Sequence, residues 1–189
     1  MPLADVFSLL VLGQGKSGLD VARWALAHPE RVSAVTVYGG GTSEPNDATR
    51  ALEAAGASFV YGTEQVEGAY DVCVTCPGIS EFSGFFKAGR EHAAQIMGEP
   101  EFAYRLSPDN WIAITGTNGK TTVSNLLTDI LEADGKKVLS NRSGSNITSG
   151  ISTALLRGCD LLGRAKSYDM AVLEVDERGS VRIFPLSLI

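Results

Sequence analysis

The stretch Ile114-Thr115-Gly116-Thr117-Asn118-Gly119-Lys120-Thr121-Thr122 is the most informative part of this chain. It follows an apolar run, Trp111–Ile114, that predicts a short buried strand, and it precedes residues 123–131, whose apolar spacing predicts a helix. A glycine-rich turn between a strand and a helix lets backbone N–H groups converge on an anion, and the helix N-terminus adds positive potential. The sequence therefore predicts a phosphate-binding loop.

Two side chains of this loop have expected roles in phosphate chemistry. Lys120 is placed to reach the β- and γ-phosphates of a nucleotide, and the Thr121 hydroxyl is placed to hold Mg²⁺. The usual spacing, Gly-x-x-x-x-Gly-Lys-[Ser/Thr], would require glycine at position 114, where Ile114 stands. The loop is therefore a variant, and a glycine turn that carries a lysine by chance is the alternative interpretation.

Residues 115–122 resemble the ATP loop of the Mur ligases and of the related folylpolyglutamate synthetases. These enzymes use ATP to join an amino acid to a carboxylate. The resemblance implies ATP and Mg²⁺ as cofactors and a catalytic role for Lys120. The ATP-binding positions that it implies are Gly116, Thr117, Asn118, Gly119, Lys120, Thr121 and Thr122, with Asn146 further along the chain.

Composition restricts the class of protein. The 189 residues are 44% hydrophobic and 20% charged, with a net charge of −6, as in a soluble globular protein with a core. No basic cluster favours nucleic-acid binding, and no apolar run approaches the ~18 residues of a membrane span. The N-terminus lacks the basic region of a signal peptide, so we expect a cytoplasmic protein without nucleic-acid or membrane partners.

The three cysteines are Cys73, Cys76 and Cys159. The pair Cys73-x-x-Cys76 allows a redox or metal interpretation, but it ends an apolar run that predicts a strand. Side chains three positions apart on a strand point to opposite faces, and no second cysteine pair completes a zinc set. We therefore interpret these cysteines as structural thiols.

Strand and helix signals alternate along the first half of the chain. Apolar runs predict strands at residues 7–12, 32–38, 57–60, 72–75 and 94–97. Helical spacing lies at residues 19–27, 47–55, 82–90 and 99–104. This alternation predicts an α/β fold, with a Rossmann-like parallel-sheet domain over residues 1–106.

A second domain is predicted over residues 107–189, after the polar stretch 106–110. It opens with the phosphate loop and continues with strands at residues 137–140 and 170–174 and a helix at residues 147–156. The family resemblance implies that this part is an incomplete P-loop ATPase α/β domain, the partial central ATP-binding domain of a Mur ligase.

A second glycine loop, Gly13-Gln14-Gly15-Lys16-Ser17-Gly18, follows the first strand with the spacing of a dinucleotide site. A conventional NAD site also needs an acidic residue at the end of the second strand to hold a ribose, and Tyr38 stands there. A UDP-type pyrophosphate can still rest on the helix N-terminus behind Gly15, Lys16 and Ser17. A tight turn without a ligand is the alternative.

The first half also resembles the N-terminal domain of the D-glutamate-adding Mur ligases. There a Gly-x-Gly-x-[Ser/Thr]-Gly loop and a later Ser-Pro-Gly-Ile loop flank a uridine nucleotide. The matching segments here are residues 13–18 and Cys76-Pro77-Gly78-Ile79, with cysteine where serine is common, and Glu99-x-Glu101 fits a further family pattern. The UDP-substrate positions that the resemblance implies are Gly15, Lys16, Ser17, Gly18, Tyr38, Pro77 and Gly78.

The last third of the chain looks more like the ligase-type subunit of lipid II isoglutaminyl synthase, which shares the ATPase domain. The resemblance lies in residues 141–146, 150–155 and 172–177. In either relative the carboxylate at the end of the strand after the loop helps to hold Mg²⁺, and Glu174 has that position. A solvated strand-end acid is the alternative for Glu174, and a helix cap is the alternative for Asn146.

These resemblances imply ATP-dependent ligation of D-glutamate to UDP-N-acetylmuramoyl-L-alanine through an acyl phosphate. The isoglutaminyl synthase subunit and a nucleotide-binding fragment without ligase activity are the alternatives. Mur ligases carry a carbamylated lysine and a third domain that do not fit before Ile189, so we expect a truncated chain that is inactive alone. Its apolar C-terminal residues, 181–189, are expected to favour self-association.

Overall fold

The computed structural model of the protein describes residues 3–106, 111–115, 118–142 and 168–175. The chain divides into two compact units, Met1–Phe102 and Ala103–Ile189, and each is described by itself. The expected domain boundary after residue 106 lies further along the same helix and stays a prediction. Within the described ranges, no helix is long and apolar enough to cross a bilayer.

Unit 1 is a parallel five-stranded sheet in which a helix follows every strand except β3. Its strands are β1 (Phe7–Leu12), β2 (Val32–Tyr38), β3 (Ser58–Val60), β4 (Tyr70–Thr75) and β5 (Ala93–Gly98). Its helices are α1 (Lys16–Ala27), α2 (Asp47–Ala54), α3 (Gly84–Glu91) and the first half of α4 (Glu99–Leu106). The α/β class and the parallel sheet predicted from the alternation are confirmed.

The strand order is β3-β2-β1-β4-β5, so the chain passes from the edge strand β3 to β4, on the opposite side of the central strand β1. Residues 9 to 12 of the central strand β1 are fully buried. Because both faces of β1 are covered, its sequence is a continuous apolar run and does not alternate with polar residues. The neighbouring strands β1 and β4 therefore flank the switch point of the sheet. Ligands in such folds bind in the crevice at the carboxyl ends of these strands.

The core of unit 1 continues to its last residue. The Phe102 side chain is fully buried and meets the Phe7 ring edge-on, with ring centroids 6.0 Å apart. It meets the Trp24 ring in the same manner at 5.5 Å. These apolar contacts fix the first turns of α4, and with them the position of Glu99 at the start of that helix.

Unit 2 has a three-stranded parallel sheet in the order β6-β8-β7. Its described elements are β6 (Trp111–Ile114), α5 (Lys120–Ala133), β7 (Val138–Ser140) and β8 (Met170–Glu174). Ala171 and Leu173 of β8 are buried together with Ala103 and Val175, and Leu139 packs against this cluster. The predicted helix at residues 147–156 and the apolar C-terminal residues lie outside the described residues.

Candidate functional site

The glycine loop after β1 and the Cys76 loop after β4 meet at the switch point of unit 1. The backbone N–H of Cys76 donates to the Leu12 carbonyl at 3.0 Å, and the Cys76 thiol donates to the Gly13 carbonyl at 3.4 Å. The N–H of Gly13 donates to the Tyr38 carbonyl at 2.7 Å. The ends of β1, β2 and β4 are therefore joined by direct hydrogen bonds, and the two loops predicted to flank a nucleotide lie side by side.

Close packing explains two of the three motif glycines. A Cβ at Gly13, whose φ is +97°, would lie 2.8 Å from the Cys76 sulfur. A Cβ at Gly18 would lie 2.2 Å from the Gly13 carbonyl oxygen, which is rigid backbone. The first glycine thus allows the turn and the third allows α1 to approach the strand.

Gly15, the second motif glycine, has open space around it. It is the N-cap of α1, its side-chain position has nothing within 4 Å, and no side chain caps the helix. The first turn of α1 also contains no acidic residue that would compete with an anion. An open helix N-terminus behind a glycine is the arrangement that binds a pyrophosphate.

The other predicted UDP-substrate residues have different surroundings. Lys16 is exposed, whereas Ser17 and Gly18 are buried beneath the loop. In the loop after β4, Pro77 is half-buried and Gly78 is exposed, with open space where its Cβ would be. The structure thus brings the loop residues together at one edge of the sheet, and their contacts with a ligand stay predictions.

Tyr38 is placed differently from the loops. Its side chain is only 4% exposed and packs in an apolar cluster with Leu10, Leu12 and Phe85. Its hydroxyl accepts a hydrogen bond from the Glu67 N–H at 3.0 Å. This packing leaves little of the side chain for a ligand, so the predicted substrate contact of Tyr38 stays a prediction without support from its position.

Glu99 is the residue of this region that the sequence pattern did not single out as functional. It follows β5 directly and is 1% exposed, and neither carboxyl oxygen has a hydrogen-bond partner of ordinary geometry among the described residues. The pKa of this carboxyl is raised to about 7, mainly by burial and to a smaller extent by nearby Asp20. The Ser17 hydroxyl and the Cys76 thiol partly oppose this rise in pKa. The signal available in the sequence was the family pattern Glu99-x-Glu101, directly after the predicted fifth strand.

The thiols of Cys73 and Cys76 are both free and buried. Burial raises the pKa of the Cys73 thiol to about 12, and burial together with Glu99 raises the pKa of Cys76. Thiols that stay protonated are poor nucleophiles and poor metal ligands. This agrees with the structural interpretation of the pair, while Cys159 lies outside the described residues.

The phosphate loop of unit 2 ends at an open helix N-terminus. Gly119 is the N-cap of α5 with φ +77°, a left-handed conformation that favours glycine, and no side chain caps the helix. Lys120 is the first helical residue, and Thr121 and Thr122 are exposed in the first turn next to it. Asn118 and Gly119 are exposed, whereas Gly116, Thr117 and Asn146 lie outside the described residues.

Glu174 lies at the same edge of the sheet as the loop. It is the last residue of β8 and is paired in register with Ile114, the residue after which the loop begins. The next residue, Val175, donates its N–H to the Ile114 carbonyl at 2.9 Å. The strand end that carries the predicted metal ligand is thus held beside the strand end that leads into the loop.

Asn141 fixes the backbone of Glu174 and was missed by sequence reasoning. Its side-chain amide donates to the Glu174 carbonyl at 2.9 Å and accepts from the Glu174 N–H at 3.0 Å. The asparagine is 7% exposed, so both bonds are sheltered from water. A polar residue directly after β7 was the available signal, because the ends of neighbouring parallel strands lie together.

The donor set at this edge fits Mg²⁺. The Thr121 hydroxyl and the Glu174 carboxylate are hard oxygen ligands, and Mg²⁺ is usually bound by one or two protein oxygens together with phosphates and waters. In the part of the chain that the structure describes, no cluster of three or more His, Cys, Asp or Glu residues forms a dedicated metal cage. The roles of Lys120, Thr121 and Glu174 stay predictions.

Parts of this chain are similar in sequence to a known protein family and to named enzymes. Residues 114–185 match the family model described as the Mur ligase middle domain. A UDP-N-acetylmuramoylalanine–D-glutamate ligase of Desulfosudis oleivorans is 35% identical over 173 residues, which cover 88% of this chain and 34% of the relative. One of Thermobifida fusca is 36% identical over 154 residues, covering 79% of this chain and 32% of the relative.

Among solved structures, a UDP-N-acetylmuramate–alanine ligase of Thermotoga maritima covers 90% of this chain and 37% of its own, at 18% identity and a TM-score of 0.47. That score is too low to add to the argument. The chain spans about a third of the length of the curated relatives it matches. The family-model match, which begins at the phosphate loop, and the identity to named ligases lead to one conclusion: the chain belongs to the Mur ligase family.

Proposed function

We propose that these residues are the nucleotide-binding part of an enzyme that uses ATP to ligate D-glutamate to UDP-N-acetylmuramoyl-L-alanine. The observation that carries the proposal is in unit 2, where the open N-terminus of α5 follows Ile114 and Glu174 is held in register beside it. Phosphoryl transfer from ATP needs a cradle for the phosphates and a hard cation to neutralise their charge, and this edge of the sheet offers residues suited to both. The relatives named as D-glutamate ligases support the choice of substrates.

The loops of unit 1 support a uridine nucleotide in preference to NAD. The α1 N-terminus is uncapped and open at Gly15, as a pyrophosphate requires. The end of β2 carries Tyr38 and three glycines in place of the acid that would hold the ribose of NAD. The predicted ligand is the UDP moiety of UDP-N-acetylmuramoyl-L-alanine.

The proposed chemistry has two balanced steps. The carboxylate of the UDP substrate attacks the γ-phosphorus of ATP, and the bond to the β–γ bridging oxygen breaks, which yields an acyl phosphate and ADP. The amine of D-glutamate then attacks the acyl carbon and expels inorganic phosphate with loss of a proton from nitrogen. Positioning and charge stabilisation account for most of the acceleration of such phosphoryl transfers.

The chain's own residues would act mainly in the first step. Lys120 would stabilise negative charge on the transferred phosphoryl group, and the N–H groups at the start of α5 would hold the phosphate oxygens. Thr121 and Glu174 would hold Mg²⁺, which neutralises phosphate charge when it is bound. Asn141 would keep the Glu174 backbone in place through its paired hydrogen bonds.

Calorimetric titration tests both halves of the proposal. The wild-type chain is expected to bind ATP with Mg²⁺ and to bind UDP-N-acetylmuramoyl-L-alanine, and to show no comparable affinity for NAD. Lys120→Ala should abolish ATP binding and leave uridine binding unchanged, because the proposed ligand of this lysine is the phosphate chain of ATP. Lys136→Ala removes an exposed lysine from the turn after α5 and serves as the matched control.

Two results would contradict the proposal. Equal ATP affinity in Lys120→Ala and wild type would show that the loop after β6 is not a phosphate site. Tight NAD binding without uridine binding would instead assign unit 1 to a dinucleotide.

A further inference from the structure

Glu99 and the nucleotide loops of unit 1 form one buried cluster. The carboxyl of Glu99 interacts with the Ser17 hydroxyl, which belongs to the first turn of α1, and with the Cys76 thiol, which lies beneath Gly13 and Gly18. Both carboxyl oxygens are fully buried and lack a hydrogen-bond partner of ordinary geometry in the described part of the chain. The carboxyl is thus buried beside Ser17 of an open helix N-terminus, and among the described residues no hydrogen bond of ordinary geometry or ion pair explains its presence there.

We propose that Glu99 couples nucleotide binding to proton uptake: a pyrophosphate that binds at the N-terminus of α1 does so together with a proton on Glu99. Glu99 is thus a positioning residue of the UDP-substrate site, which it reaches through Ser17 and does not itself contact. This inference rests on the proposed function of unit 1 and deepens it.

The physical reason is competition for one source of positive potential. The N-terminus of α1 stabilises a negative charge nearby, and an ionised Glu99 behind Ser17 uses the same potential as a pyrophosphate in front of it. Because Glu99 is buried, its charge is screened less than it would be in water, and its repulsion with the bound anion is stronger. Protonation of Glu99 removes this repulsion, so the ligand favours the protonated form.

The groups that act on Glu99 make the neutral form accessible near neutral pH. On α1 these are the Ser17 hydroxyl and the Asp20 carboxylate, and Asp20 is itself paired with Arg23. On the loop after β4 the Cys76 thiol acts on Glu99, and on its own helix the nearest acid is Glu101. Burial is the largest of these influences, and the pKa of about 7 means that both forms are populated before the ligand binds.

The sign of the effect follows by linkage. A bound anion raises the pKa of Glu99 above its value in the free protein, so the complex holds more protons than the free protein as pH rises from about 7. Affinity is therefore highest at acidic pH and falls above about 7, by at most tenfold per pH unit for one proton.

The test is calorimetric titration of the full chain with UDP-N-acetylmuramoyl-L-alanine in buffers that differ in ionisation enthalpy. The pH is 7.5, about half a unit above the pKa of Glu99 in the free protein. The pyrophosphate of this ligand is esterified on both sides and does not titrate near neutral pH, so proton uptake reports on the protein. The wild type is expected to take up a fraction of one proton. Glu99→Gln, which is isosteric and always neutral, is expected to bind without proton uptake and with an affinity that does not change between pH 6 and pH 8, about a unit on either side of 7.

Glu101→Gln is the matched control, since it removes an acid from the same helix two positions away, and it should keep the proton uptake of the wild type. Binding by the wild type with the same enthalpy in every buffer would overturn the inference while leaving the proposed function intact. Proton uptake that persists in Glu99→Gln would also overturn it. Failure of the wild type to bind the uridine ligand at all would overturn both.

Discussion

At the scale of single residues, glycine is suited to each of three positions in the loop after β1 for a different physical reason. Gly13 takes a left-handed turn against Cys76, Gly18 lies against rigid backbone, and Gly15 meets nothing at all. The sequence motif presents them as equivalent. Only the surroundings separate a glycine required by packing from one that leaves room for a ligand.

This difference predicts opposite behaviour for two alanine substitutions. Gly15→Ala should fold as the wild type does, because its Cβ enters open space and its φ of −69° suits alanine. It should nevertheless weaken uridine-nucleotide binding, because the methyl group occupies the approach of the pyrophosphate. Gly18→Ala should lower the stability of unit 1 by at least about 1–3 kcal/mol, as overpacked sites do, since its Cβ would lie 2.2 Å from the Gly13 oxygen.

Thermal unfolding and ligand titration of the two variants measure these effects side by side. Gly84→Ala, at an exposed glycine with open space around it and outside the predicted ligand site, controls for the general effect of adding a methyl group. Equal loss of stability in Gly15→Ala and Gly18→Ala would contradict the assignment of separate roles.

At the scale of elements, strands were predicted more accurately than helix starts. β1, β2, β6 and β8 have the predicted bounds, whereas α1 begins at Lys16 and α5 at Lys120, each before the first apolar residue of its periodic pattern. Apolar spacing reports the face that a helix buries. The first turns of α1 and α5 consist of polar or small residues, Lys16-Ser17-Gly18 and Lys120-Thr121-Thr122, so the hydrophobic pattern does not detect them.

Site residues within a local sequence motif were predicted, whereas site residues that act through long-range contacts were missed. The glycine loops and Lys120 were found because their spacing is regular, whereas Asn141 and Glu99 act through contacts between segments far apart in the chain. Asn141 meets Glu174 across 33 positions, and no local pattern encodes such a contact. Local sequence patterns do not predict side-chain contacts between strand ends that are neighbours in the sheet but distant in the chain.

Asn141 yields a prediction at this scale. Asn141→Ala should weaken ATP binding in the presence of Mg²⁺ by about 5- to 150-fold, the range of a typical coupling between sites, because Glu174 is no longer held in position once both hydrogen bonds are lost. Asn141→Asp keeps the acceptor for the Glu174 N–H and should lose less affinity. The measurement is the ATP dissociation constant at several Mg²⁺ concentrations.

Asn125→Ala provides the comparison, since it removes an asparagine from the side of α5 that meets Arg142. Wild-type Mg²⁺ dependence in Asn141→Ala would show that Glu174 does not need this support or does not bind the metal.

At the scale of the whole molecule, the buried Glu99 gives unit 1 a pH-dependent stability. Its folded-state pKa of about 7 lies above the ordinary value of 4.5, so the folded unit holds more protons than the unfolded chain between these values. Stability therefore falls as pH rises from about 4.5 to about 7 and then levels off. At about 1.4 kcal/mol for each pH unit, the total loss is on the order of 3 kcal/mol.

Glu99→Gln should abolish this loss, so that the variant is more stable than the wild type at pH 8. Hydrogen exchange of the buried β1 amides, corrected for intrinsic exchange rates, reports the opening of unit 1 without interference from unit 2. If the protection of these amides from exchange in the wild type did not fall between pH 5 and pH 7, the Glu99 carboxyl would be better solvated than its burial indicates.

The central position of β1 has a consequence for synthesis of the chain. When a ribosome has released residues up to the end of β3, the sheet that can form is β3-β2-β1, with β1 at its edge. The most apolar strand of the unit then presents a row of unpaired N–H and C=O groups until β4 emerges and covers it. The stretch of translation between Val60 and Tyr70 is therefore the interval in which the nascent chain is most exposed to aggregation, and a chaperone that binds apolar strands would act there.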